Sequence, residues 1–128
     1  MDVVGEYLRW HDCGKPLCRV DTDGKMSFPN HAAVSKQAFL NAGGDCGVAS
    51  LIGLDMVFHS TKPADICRTA AGLEVGVVAT LVLTAWAAVF ANADMFGGIG
   101  SEGFKIKVSQ LTARCKKVLP WIASRMVR

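Results

Sequence analysis

The stretch His11-Asp12-Cys13-Gly14-Lys15-Pro16-Leu17-Cys18-Arg19-Val20-Asp21-Thr22-Asp23-Gly24-Lys25-Met26-Ser27-Phe28-Pro29-Asn30-His31 decides the fold reading, because a helical pattern stops within it and then resumes. Upstream, Val3, Val4, Tyr7, Leu8 and His11 recur at helical spacing with no cap signal ahead of them, so the chain is expected to begin inside a helix. Gly14 and Pro16 end it, since one readily terminates a helix and the other cannot continue it. Leu17–Val20 and Lys25–Phe28 then flank Asp21-Thr22-Asp23-Gly24, a tetrad that suits a small β-hairpin or an irregular polar loop with a solvated tip. From Asn30 a second helix is predicted to about Asn41, with Val34 and Ala38 on one face and Gly43-Gly44 closing it.

Outward from this stretch the pattern is helical. Asp45 can cap a third helix in which Val48, Leu51, Ile52 and Met56 share a face, and that spacing carries His59 onto the same inward side. Pro63-Ala64-Asp65 opens a shorter segment, and after Gly72 comes an apolar stretch from Val75 to Ala93 that ends at Asp94. It has nearly the length of a membrane span, about 20 residues. Its many small residues and the acids at its ends, Glu74 and Asp94, favour instead a central helix buried on all sides in a bundle. Beyond Gly97, Phe104, Ile106 and Val108 alternate with Lys105, Lys107 and Ser109 at the period of an extended segment, and Leu111, Cys115, Val118 and Ile122 form a helical stripe. After Glu102 the charges are all basic, which reads as a solvated helix face, with an acidic ligand such as nucleotide or RNA backbone as the alternative.

The expected architecture is therefore an all-α bundle with a short hairpin or loop between the first and second helices. A single domain is expected over 1–128, with the motifs in 1–97 and a basic extended segment and helix in 98–128. A chain of 128 residues that is 51% hydrophobic excludes intrinsic disorder, and 13 Gly with 4 Pro and no period exclude a collagen-like or linker architecture. The cysteines, Cys13, Cys18, Cys46, Cys67 and Cys115, are odd in number and irregular in spacing, without a secretory signal ahead of them. They read as reduced thiols of a cytoplasmic protein, with a homo-oligomer left open. A net charge of +3 is too mild to name a partner.

The three histidines, His11, His31 and His59, each sit where a helix turns them inward or ends. A lone inward histidine is ordinarily a hydrogen-bonded core residue. Three of three, with Asp12 and Asp94 bordering apolar helices, point elsewhere, because unpaired inward carboxylates are costly and a divalent cation is a usual reason to tolerate them. Imidazole with carboxylate suits Mn, Fe, Ni, Co or Zn, and Mg where water fills several positions. Asp21-Thr22-Asp23-Gly24 lacks the glutamate and glycine offset of a calcium loop, and Cys13 with Cys18 lacks the second pair of a zinc finger.

The run His11-Asp12-Cys13-Gly14-Lys15-Pro16, followed by Asp23-Gly24-Lys25, Phe28 and His31, and later by Ala93-Asp94, resembles the signature of the HD-domain metal-dependent phosphohydrolases. It is most similar to the HD domain of bacterial CCA-adding enzymes and of related phage proteins, over about two thirds of the chain, from His11 to Gly97. The resemblance implies an HD helical bundle in which His11, Asp12 and Asp94 ligate a metal, His31 and His59 add ligands where two metals bind, and Asp12 holds the nucleophilic water. It also makes Lys15 the lysine that faces phosphate. Arg19, Lys105 and Lys107 are cations that could add phosphate contacts, although the sequence fixes no direction for them. The family pattern opens with another histidine on a helix upstream of the HD pair, and the ten residues before His11 contain none.

What the resemblance implies is hydrolysis of a phosphomonoester or phosphodiester by a metal-activated water. The partners would be a phosphorylated small molecule, a nucleotide or an RNA end, with no membrane. Two alternatives keep the fold: an HD module impaired by the missing ligand that acts only in binding, and an HD-type di-iron oxygenase.

Overall fold

In a computed structural model that describes residues 2–126, the chain is all-α with one short β-hairpin, as the interrupted helical pattern predicts. It divides into two compact units, Met1–Met56 and Val57–Arg128.

The first unit opens on helix α1, Val3–Trp10, which does have a cap: the Asp2 carboxylate accepts the backbone N–H of Gly5 at 3.1 Å. This corrects the expectation of an uncapped start. Tyr7 is the buried side chain of α1, and Val3, Val4 and Leu8 stay exposed. Pro16 does not merely stop this helix. It sits in the first turn of a separate one-turn helix α2, Lys15–Cys18, where its missing N–H has no intrahelical partner to lose.

The hairpin strands are β1, Val20–Thr22, and β2, Lys25–Ser27, paired antiparallel with Thr22 opposite Lys25. Asp21 and Thr22 thus belong to the strand, and the loop is Asp23-Gly24 alone. Both loop residues have positive φ, 50° and 76°, the backbone of a type I′ turn that matches the twist of the strands. The hairpin is exposed throughout.

Helix α3, His31–Asn41, ends in a Schellman motif in which Gly44 N–H donates to Phe39 O at 2.9 Å and Gly43 N–H to Leu40 O at 3.0 Å, with Gly43 at φ 85°. Helix α4, Cys46–Gly53, starts as predicted, with Asp45 accepting the Val48 N–H at 3.0 Å. It ends sooner than the apolar spacing suggested. Residues 54–56 form a turn, so Met56 is exposed and His59 falls on the next helix rather than on the inward face of this one. Helix α4 packs against α1 and α3 through Val48, Ala49, Leu51 and Ile52, which meet Tyr7 and Phe39 in the core of the unit.

Gly14 fixes how α2 meets α3. Its N–H donates to the hydroxyl of the fully buried Ser35 at 2.9 Å, and a Cβ placed on it would lie 2.5 Å from the Ser35 backbone nitrogen. Backbone cannot yield as a side-chain tip does. Gly14→Ala is expected to destabilise the first unit by about 2–3 kcal/mol or more, read from chemical unfolding, and a loss below about 0.5 kcal/mol would refute this account.

In the second unit, helices α5 (Val57–Ser60), α6 (Ile66–Ala71) and α7 (Val75–Ala91) gather on the long helix α8, Glu102–Met126. A 3₁₀ turn, Ala93–Phe96, follows α7. Helix α7 is not buried on all sides. Val78, Leu81, Val82, Ala85 and Val89 make one buried stripe, while Leu83 and Phe90 are exposed. Among the described residues no helix is long and apolar enough to cross a membrane.

The alternation at 104–108 does not produce an extended segment. The Ser101 hydroxyl accepts the Phe104 N–H at 3.1 Å and Glu102 occupies the first turn, so a capped helix begins there and leaves Ile106 exposed. The predicted stripe of Leu111, Cys115, Val118 and Ile122 is buried, together with Phe104. Each such apolar side chain contributes about 1.5–3 kcal/mol when fully buried, enough to outweigh a local two-residue period. Cys115 accepts a hydrogen bond from the Trp86 indole at 3.1 Å. Burial pushes its thiol pKa up, against the opposing effects of that hydrogen bond and of Arg114.

Candidate metal centre

Four ligand-capable side chains converge in the first unit. His11 is the C-cap residue of α1, Asp12 follows it, His31 opens α3, and Asp55 lies in the turn after α4. One ligand atom each from His11, Asp12 and Asp55 lies within 4.8 Å of the others. The Nε2 atom of His31 lies 3.7 Å from one Asp12 oxygen and 3.5 Å from an Asp55 oxygen, and the Nε2 of His11 lies 3.5 Å from the other Asp12 oxygen. The cluster has a deep side and an open side: the His31 and Asp55 side chains are each 14% exposed, and that of Asp12 is 40% exposed.

Each ring is held by its other nitrogen. His11 Nδ1 lies 2.8 Å from Leu8 O, and His31 Nδ1 lies 3.3 Å from Phe28 O. A carbonyl oxygen only accepts, so Nδ1 carries a proton in both rings, and it is Nε2 of each that is turned toward the carboxylates. The Nε2–oxygen distances are too long for good hydrogen bonds. Two Nε2 atoms and two carboxylates aimed at one place are a donor set that a cation can join, and an imidazole steadied by a backbone carbonyl is the usual dress of a histidine ligand. The residues present therefore fit a divalent metal of the imidazole-and-carboxylate class.

The supports are equally specific. The Tyr7 hydroxyl donates to Asp55 Oδ1 from a ring that is 1% exposed, and that ring stacks on His11 at 5.7 Å between centroids. Lys15 Nζ lies 2.8 Å from Asp12 Oδ2 and 5.4 Å over the Phe28 ring, which keeps a positive charge at the open side. Tyr7→Phe removes the donor and keeps the ring. It is expected to weaken metal affinity about 10- to 100-fold, measured by competition with a chelator, and unchanged affinity would show that Tyr7 only fills the core.

The structure thus brings together His11, Asp12, His31 and Lys15 of the residues singled out in the sequence. Arg19 instead turns to Asp21, at 3.2 Å. His59, half-buried on α5, and Asp94, in the 3₁₀ turn, belong to the second unit, as do Lys105, paired with Glu102 at 3.4 Å, and Lys107, over the Phe96 ring at 5.5 Å. Asp94 is exposed, not the inward carboxylate expected at the end of an apolar helix. The Cys13 and Cys18 thiols point to the backbone carbonyls of Ser35 and of Gly14 and Lys15.

Asp55 is the member that the sequence reading missed. Its signal was an acid set among Leu51, Ile52, Leu54, Met56, Val57 and Phe58, the same costly placement that drew attention to Asp94. Comparison with protein-family models, with curated proteins and with solved structures found no match to this chain.

Proposed function

We propose that the chain is a metal-dependent phosphohydrolase of the HD type, with His11, Asp12, His31 and Asp55 as the ligand set. The substrate is a phosphorylated small molecule, a nucleotide or an RNA end. The observation that carries this reading is the convergence of two imidazole Nε2 atoms on two carboxylates, with a half-buried lysine beside the more open one. It is supported by the resemblance of His11–His31 to the HD-x-G-K-P pattern, and Asp55 takes the part of closing carboxylate that this resemblance gave to Asp94.

A divalent ion held by His11, Asp12, His31 and Asp55 would make water a competent nucleophile at neutral pH and offset the charge of phosphoryl oxygens. His31 and Asp55 form the sheltered side of the donor set. Asp12, on the open side, accepts a hydrogen bond from the attacking water and orients it toward phosphorus. Lys15, whose ammonium is already confined between Asp12 and Phe28, meets a non-bridging phosphoryl oxygen and thereby orients the ester. Mn, Fe, Ni, Co and Zn suit this donor set, and Mg suits it with water completing the shell.

The test is elemental analysis of the purified chain together with hydrolysis of a panel of nucleotides and simple phosphoesters, with Mn, Ni, Co or Mg added in turn. About one ion per chain, and phosphate release that a chelator abolishes, are expected. A chain that retains no ion and hydrolyses nothing with any of these metals would refute the proposal.

A further inference from the structure

The two units differ in charge. The second carries nine Lys and Arg against four Asp and Glu, the first five against seven. Much of that excess lies along one side of α8. Lys107, Arg114, Lys117, Trp121 and Arg125 follow one another at intervals of seven, three, four and four residues, a spacing that keeps them on one side of a helix over about 27 Å. This side borders the buried stripe of Phe104, Leu111, Cys115, Val118 and Ile122.

Lys107, Lys117 and Arg125 are exposed, and Arg114 is half-buried with its Nε donating to Thr61 O at 2.6 Å. The Arg125 guanidinium lies 4.3 Å over the ring of Trp121. Among the described residues no carboxylate is within ion-pair distance of any of these four cations. Glu102, the acid of α8, pairs with Lys105 on another flank. A row of cations without counter-charges, with an aromatic ring set among them, is what tracks a phosphate backbone and receives a base. A bilayer surface would need a continuous apolar strip beside the cations, whereas on α8 the exposed Leu119 and Met126 lie across the buried stripe from them, and Ile106 and the Phe96 ring border the row at its Lys107 end.

We infer that this face of α8 binds the backbone of single-stranded nucleic acid, with Trp121 and Arg125 as the place where a base stacks. The site is separate from the metal centre, needs no bound ion, and stands or falls without it.

The test uses the full chain in the presence of a chelator, with fluorescence anisotropy of a labelled RNA of mixed sequence, about 20 nucleotides long. With four cations engaged, the logarithm of the binding constant is expected to fall with the logarithm of salt concentration at a slope of about −3. The triple variant Lys107→Gln, Lys117→Gln, Arg125→Gln should bind at least about tenfold more weakly near 100 mM salt and lose about 2 from the slope. Lys117→Gln alone, which leaves both ring contacts intact, should lose about 0.7. The pair Lys105→Gln, Lys116→Gln on the other flank should weaken binding less than about threefold. The inference is overturned if the triple variant binds as the unaltered chain does, or if the opposite flank matters as much. Binding to phosphatidylserine vesicles without binding to RNA would overturn it too.

Discussion

Asp12→Asn is expected to strip the chain of its ion and to lower metal-stimulated phosphoester hydrolysis about 100-fold or more. The two Asp12 oxygens face His11, His31 and Lys15, so this side chain links the open side of the cluster to the sheltered His31. Asparagine keeps its volume and replaces one anionic oxygen with an N–H donor. What remains is a carboxamide oxygen, an uncharged and weaker ligand for a divalent cation than a carboxylate. The backbone should be untouched, because the Asp12 side chain is not part of either core, and circular dichroism of the variant should overlay that of the unaltered chain. Metal content by elemental analysis and phosphate release are the two readouts. A variant that keeps one ion per chain would remove Asp12 from the ligand set.

The second large effect sets Asp55 against Asp94. Asp55→Asn is expected to cost at least 10- to 100-fold in metal affinity, roughly the range found when groups that merely support ligands are lost. Asp94→Asn should leave affinity and hydrolysis within about twofold, as substitutions at exposed positions away from a site do. Asparagine can still accept the Tyr7 hydroxyl, so the turn at residues 54–56 should hold its shape. The opposite result, with Asp94→Asn emptying the site and Asp55→Asn neutral, would restore the ligand assignment that the sequence resemblance implied.

Much of the fold was legible because its signals are local. The Asp45 cap, the Gly43-Gly44 stop and the buried stripe of α8 each depend on neighbours within a few residues, and each has the predicted structure, while the Asp21–Gly24 tetrad, read as a hairpin turn or a polar loop, is a hairpin whose loop is only its last two residues. The misreadings occur where a short pattern competed with a longer one. The alternation of Phe104, Ile106 and Val108 imitates a strand, but Ser101 caps a helix there and the more distant partners of Phe104 and Leu111 decide the outcome. The apolar spacing from Val48 to His59 imitates one helix, although the chain turns after Gly53. That same turn concealed Asp55. On the flank of a continuous helix an acid among apolar residues would face solvent, so its signal was passed over, and only the break aims it at His31, which is 24 positions earlier in the chain. His11, Asp12 and Lys15 were legible because they stand within five residues of one another in a recognisable run.

His11, Asp12, His31 and Asp55 all precede Val57, where the second unit begins. Synthesis runs from the N-terminus, and earlier segments fold first. The proposed ligand set is therefore synthesised before any residue of the basic helix α8. On the metal-centre reading, whichever cation is abundant at that moment would meet a cluster whose members are already present. The occupant of the site would then be set by the ionic contents of the compartment in which the nascent chain emerges as well as by the chemistry of the donors.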